Sequence, residues 1–137
     1  MITELRYYRI KPERLASWVQ FFAEAIRENE RQGMPVEFAG VDRDTSTYVY
    51  ARSFGNEAAR QGVKAGFYGS DWWLEREAFA MEHVLEYRVE FLDTAIVRRD
   101  GAFVDVPVDL ASERPGSRGD DPPSGWVASS GRRWVRE

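Results

Sequence analysis

Apolar and polar side chains alternate along the opening residues, with Leu5 and Tyr7 on one side of an extended segment and Glu4, Arg6 and Tyr8 on the other. The pattern predicts a strand over about residues 2–10 that needs a cover on both faces. At Pro12 the period changes. Leu15, Trp18, Val19, Phe22 and Ile26 recur at helical spacing, and Pro12 near the first turn sacrifices no hydrogen bond, so a helix with an apolar stripe is expected up to Gly33, a left-handed terminator. Residues 34–41 read as a second strand through Val36, Phe38 and Val41, and the polar run 42–46 reads as a turn. Residues 47–54 form a third strand, with Tyr48, Tyr50, Arg52 and Phe54 on one face and Val49 and Ala51 on the other. A short helix interrupted by Gly62 and Gly66 is expected from Glu57 to about Phe67. Ser70 offers an N-cap to another running to about Leu85, and a last strand spans about residues 87–97.

The order is βαββαβ, an α+β arrangement: a four-stranded antiparallel sheet with helices on one face only. The other face of so small a sheet must be buried, and a second copy is the simplest cover. Two regions follow, a folded domain over residues 1–99 and a C-terminal extension over 100–137. Residues 101–110 keep some alternation (Phe103, Val104, Val106, Val108) and suit an extra strand or arm, whereas 111–125 is a Ser, Gly, Pro, Asp and Arg mixture expected to be flexible, and the last stretch, with Trp126 and Trp134, is expected as a floppy tail, docking on its own or a neighbouring chain being the alternative.

Composition removes several classes of function. The formal charge of −4 over 137 residues, without a basic stripe, argues against nucleic acid as a partner. No cysteine is present, so disulfides, thiol nucleophiles and thiolate metal sites are excluded. The start lacks a basic segment followed by an apolar one, and no apolar run approaches the roughly 20 residues of a membrane helix. The expectation is a cytoplasmic protein with no membrane partner. Arginine strongly outnumbers lysine, a hint of a GC-rich bacterial source.

Three segments carry a resemblance to a known family. Glu4-Leu5-Arg6-Tyr7-Tyr8, followed by Lys11-Pro12 and a helix, resembles the opening of NIPSNAP domains. The run from Thr47 to Phe54 is similar to the family's aromatic third strand, and Tyr68-Gly69-Ser70-Asp71-Trp72-Trp73 to the stretch before its last helix. Glu13 stands where the family often has glycine, and the extension has no counterpart. The resemblance implies a dimeric α+β barrel, in which two ferredoxin-like units pair as a homodimer.

Candidate chemistry centres on a few residues. Trp73, Leu74, Ala78, Met81, Val84 and Leu85 share one side of the expected last helix, and Glu77 lies inside that stripe. A carboxylate carried into an apolar face suits general acid or base catalysis; the structural reading is that Glu77 snorkels to the edge or pairs with Arg6 or Arg52. His83, the one histidine, falls on the opposite side, where an exposed or interface position is expected, with a catalytic role as the alternative. A single histidine gives no basis for a multi-histidine metal site, and no metal is expected. Tyr7, Trp18, Tyr48, Tyr50, Tyr68, Trp72 and Trp73 supply either an aromatic core or the lining of a substrate pocket, and Arg52 is a candidate anchor for a ligand carboxylate or phenolate. Glu4, Arg6 and Arg52 should meet across neighbouring strands and fix dimer register or take part in binding.

Three functions remain open. The first is a small enzyme needing no cofactor, acting on a hydrophobic, aromatic or polyketide-like metabolite as a cyclase, lyase or monooxygenase. The second is a non-catalytic binding or scaffold homodimer. The third is haem binding or degradation, which rests on His83 and Trp73 and lacks the strand-one Asn that haem-degrading relatives of this fold use.

Overall fold

The computed structural model describes residues 1–111 with their side chains, and residues 126–130 and 133–136 as backbone. Strand β1 (Ile2–Ile10) lies at the centre of the sheet, antiparallel to β3 (Thr47–Phe54) on one side and β4 (Val84–Asp93) on the other, and β2 (Val36–Asp42) pairs with β3. The order β2-β3-β1-β4 is the expected ferredoxin-like sheet. A 3₁₀ turn at Pro12–Arg14 leads into α1 (Leu15–Arg31), while α2 (Glu57–Tyr68) and α3 (Asp71–Glu82) fill the second crossover. Gly62 and Gly66 do not interrupt α2, which Asn56 caps by accepting from the Ala59 N–H at 2.8 Å.

Alternation decides which side of the sheet meets the helices. Register sets Glu4 opposite Arg52, Arg6 opposite Tyr50 and Tyr8 opposite Tyr48, with Phe91, Val89 and Tyr87 across from the same β1 residues on the other side. These side chains are buried beneath Trp18, Phe21, Phe22 and Ala25 of α1. Burying one phenylalanine such as Phe22 contributes about 1.5–3 kcal/mol. Val19, expected in the stripe, is exposed, and Phe21 and Ala25 replace it because the helix is rolled about its axis to lay Trp18 against Tyr8.

Two differences concern α3. It ends at Glu82, so Val84 and Leu85 belong to β4, and Leu74 and Ala78 are exposed. Trp73 and Met81 of the expected stripe are packed, joined by Trp72 and Ala80 in place of Leu74 and Ala78. The long last strand also divides: β4 stops at Asp93, and Thr94 donates its N–H to the Met1 carbonyl before β5 (Ile96–Arg99) begins.

β5 forms a hairpin with β6 (Ala102–Asp105) through Asp100 and Gly101, both at positive φ, the conformation a tight two-residue hairpin turn requires. Thr94 is bonded to Thr3 of β1 at 2.7 Å, and Arg99 grips Glu37 of β2 at 2.8 and 3.0 Å. The segment after β4 thus reaches across one end of the sheet. On the side away from the helices Leu5, Tyr7 and Val49 are half-buried, while Phe38 is 54% exposed and Leu92 is exposed. The expected flexible stretch 112–125 lies outside the described residues. β7 (Trp126–Ser130) and β8 (Arg133–Arg136) form a hairpin that extends the sheet beyond β4, so this part of the extension is docked on its own chain and is not the floppy tail expected.

Candidate functional site

Glu4 occupies the centre of the helix-facing layer and is 0% exposed. Its Oε1 accepts from Arg52 Nη2 at 2.7 Å and Nε at 3.2 Å and from Arg6 Nη1 at 3.0 Å; its Oε2 accepts from Arg60 Nε at 2.5 Å and lies 3.4 Å from Lys64 Nζ. Strand register supplies the two sheet arginines, since Arg52 is directly opposite Glu4 and Arg6 is two residues along. α2 supplies Arg60 and Lys64 one helical turn apart. A carboxylate removed from water costs several kcal/mol unless compensated, and this one meets four cationic side chains. Burial pushes its pKa up, but Arg52, Arg6, Lys64 and Arg60 together hold it well below the usual carboxylate range.

The node extends outward through phenols. Arg6 donates to the Tyr8 hydroxyl from Nε at 3.3 Å and Nη2 at 3.2 Å, and the Tyr8 and Tyr50 hydroxyls are 3.3 Å apart. Arg52 donates to Asn29 Oδ1 at 3.1 Å and to the Tyr68 hydroxyl at 3.4 Å. The phenols diverge in acidity. Burial raises Tyr8 and Tyr50, and pushes Tyr48 up to about 12. Burial also acts upward on Tyr68, yet Arg52, Arg6 and Lys64 outweigh it and the phenol is lowered below its ordinary value. Tyr68 is half-buried at the end of α2, edge-on to Phe67 and to Trp73, with Trp72 behind Phe67. An acidified hydroxyl therefore stands between a cationic floor and an aromatic wall.

A second polar grouping lies at the far end of the same layer. His83 follows the last residue of α3 and is 0% exposed, not the exposed or interface residue the helical wheel suggests. The wheel fails because the helix stops one residue earlier, and the ring turns inward beside Trp18 and Phe79. Nδ1 is 2.8 Å from the Phe79 carbonyl and Nε2 is 2.8 Å from Ser17 Oγ. A carbonyl only accepts, so Nδ1 carries a proton, and in the ring with that single proton Nε2 is the acceptor for the Ser17 hydroxyl. Iron ligation through Nε2 would have to displace Ser17.

The layer brings together Trp18, Tyr48, Tyr50, Arg52, Tyr68, Trp72 and Trp73. Tyr7 is separated from them: it faces the opposite side of the sheet, where Arg88 stacks on its ring at 4.0 Å. Glu77 is half-buried on α3 and makes no hydrogen bond or ion pair to a described residue; the expected pairing with Arg6 or Arg52 is not made, because Glu4 takes both. The node also faces the helices, so Glu4, Arg6 and Arg52 do not lie where a second sheet would set register. Sequence reasoning passed over Ser17, Tyr8, Arg60 and Lys64. The last two were detectable as cations one turn apart on a helix that must pack over Glu4. Among the described residues no group of three or more His, Cys, Asp or Glu is placed to hold a metal.

No protein-family model matches the chain, and no curated protein matches it in sequence. Solved structures do match in fold. A NIPSNAP domain protein from Burkholderia xenovorans superposes with a TM-score of 0.63 at 13% identity, over 69% of this chain and 95% of that one. A NIPSNAP family protein from Agrobacterium tumefaciens gives 0.60 at 16% identity, over 66% and 90%. A protein from Nitrosomonas europaea described as an antibiotic biosynthesis monooxygenase gives 0.56 at 9% identity, over 69% and 98%. The fold is thus that of NIPSNAP domains and of antibiotic biosynthesis monooxygenases, the ferredoxin-like unit of dimeric α+β barrels.

Proposed function

We propose that this protein is a small enzyme, needing no cofactor, that binds a hydrophobic aromatic or polyketide-like metabolite between sheet and helices and transfers a proton on it. The observation that carries the reading is Tyr68, a phenol lowered by Arg52, Arg6 and Lys64 and set against Phe67 and Trp73. The aromatic wall suits a planar apolar ligand. The cations suit the negative charge that develops when a phenolic O–H or an activated C–H loses its proton, and a phenol of lowered pKa is a better partner for that proton than an ordinary tyrosine. Enolate or phenolate formation is a shared first step of cyclase, lyase and cofactor-free monooxygenase chemistry; in the last, the carbanion itself supplies the electrons to dioxygen. The antibiotic biosynthesis monooxygenases of like fold give this branch its support. A homodimer, with the two open sheet faces turned toward each other, completes the proposal.

The test uses polycyclic phenols and enols such as anthrone. Binding should quench the fluorescence of Trp72 and Trp73, and turnover is followed by product formation with and without oxygen. Tyr68→Phe should retain the quench and lose about 10²- to 10⁴-fold in kcat, the usual range for a proton-transfer group. Equal kcat in Tyr68→Phe, with turnover lost instead in a Glu77→Gln variant of unchanged thermal stability, would move the role to Glu77.

A further inference from the structure

We propose that Ser17 and His83 form a nucleophile and base dyad for acyl transfer from esters or thioesters of aromatic or other apolar acids. The arrangement has the three parts such chemistry needs. Ser17 Oγ is 2.8 Å from His83 Nε2, within reach for direct proton transfer. His83 Nδ1 is bonded at 2.8 Å to the Phe79 carbonyl, which fixes the tautomer that leaves Nε2 as the acceptor. The imidazole is 0% exposed, whereas Ser17 is half-buried and Phe79 is exposed, so the hydroxyl lies on the outer side of its base.

A separate observation concerns the residue beside Ser17. The Trp18 ring, next in sequence to Ser17 and 5.9 Å from the His83 ring, is 3% exposed, and its Nε1 is buried with no hydrogen-bond partner among the described residues. An unsatisfied buried donor costs about 1–3 kcal/mol. Ser17 is also the third residue of α1, where the helix dipole favours negative charge on a tetrahedral intermediate.

The chemistry balances without a cofactor. The Ser17 oxygen adds to the acyl carbon as its proton passes to His83 Nε2. The bond to the leaving alcohol or thiol then breaks and that group takes the proton. Water attacks the resulting acyl-serine, gives a proton to Nε2, and the serine leaves with it.

The full chain is treated with an aryl fluorophosphonate and with p-nitrophenyl butyrate. One adduct per chain is expected, mapped to Ser17 and absent from Ser17→Ala, together with hydrolysis that falls about 100-fold in that variant. Because the chain has no cysteine, Ser17→Cys introduces its single thiol. Beside the imidazole that thiol should react with iodoacetamide at neutral pH about tenfold faster than a free cysteine peptide. No adduct on Ser17, hydrolysis equal in wild type and Ser17→Ala, or a Ser17→Cys thiol no faster than the peptide would each overturn the assignment. Labelling is read on Ser17 itself, so the result is independent of Tyr68.

Discussion

Four cationic side chains converge on the two oxygens of Glu4, and this makes Glu4 the residue on which the helix-facing layer most depends. Removing one partner of a buried ion pair typically costs about 3–5 kcal/mol, because the other is left without compensation. Glu4→Gln should lose stability of that order in urea unfolding, whereas Glu90→Gln, at an exposed pair with Arg88, should lose under about 1 kcal/mol. The pH dependence has a defined sign. The folded-state pKa of Glu4 is depressed, so its contribution is fully present above the ordinary carboxylate value near 4.5 and is lost as pH falls from there toward the lower folded value. Wild type should therefore lose stability below about pH 4.5 more steeply than Glu4→Gln, as acid titration of urea midpoints would record; parallel curves would remove Glu4 from the account. Alternation does assign Glu4 and Arg52 to one face. The sequence pattern does not say that this is the helix side, because Leu5, Tyr7 and Val49 make the other face look equally suited to burial.

At the level of elements, capping governs how α2 holds Arg60 and Lys64 over the sheet. Asn56→Ala should cost about 1 kcal/mol by freeing the Ala59 N–H, and a drop in thermal midpoint would register it. β1 and β3 were legible to the residue, since each is a run rich in aromatic and β-branched side chains closed by turn or helix-start residues, Lys11-Pro12 after β1 and Gly55-Asn56 after β3. α3 was not. Its apolar residues are scattered around the helix, so Leu74 and Ala78 suggested a stripe that the packing ignores. The strand-forming residues after Glu82 carried the helical reading too far, and that error displaced His83. Ser17 was silent for a different reason: a lone serine in a first turn carries no periodic signal, and only the end of α3 brings His83 to it.

For the whole molecule, helices cover one face of the sheet and the β5–β6 segment spans one end of it, while Phe38 and Leu92 on the other face meet solvent. Ile96, Phe103 and Val104 of that hairpin are exposed as well. Apolar surface of this kind marks an interaction surface, and the proposed homodimer accounts for it. Light scattering at micromolar concentration should give the mass of two chains, and Phe38→Asp should shift it toward one. A two-chain mass that survives Phe38→Asp unchanged would locate the interface elsewhere.

The central claim is that buried cations acidify Tyr68 and thereby make it the proton-transfer group of an aromatic-lined site. Ultraviolet titration of the phenols in wild type and Tyr68→Phe tests it without knowledge of the substrate. The account expects one tyrosine per chain to ionise below the ordinary range, absent from Tyr68→Phe, while Tyr8, Tyr48 and Tyr50 ionise late. Superimposable curves, with no early phenol in either protein, would contradict it.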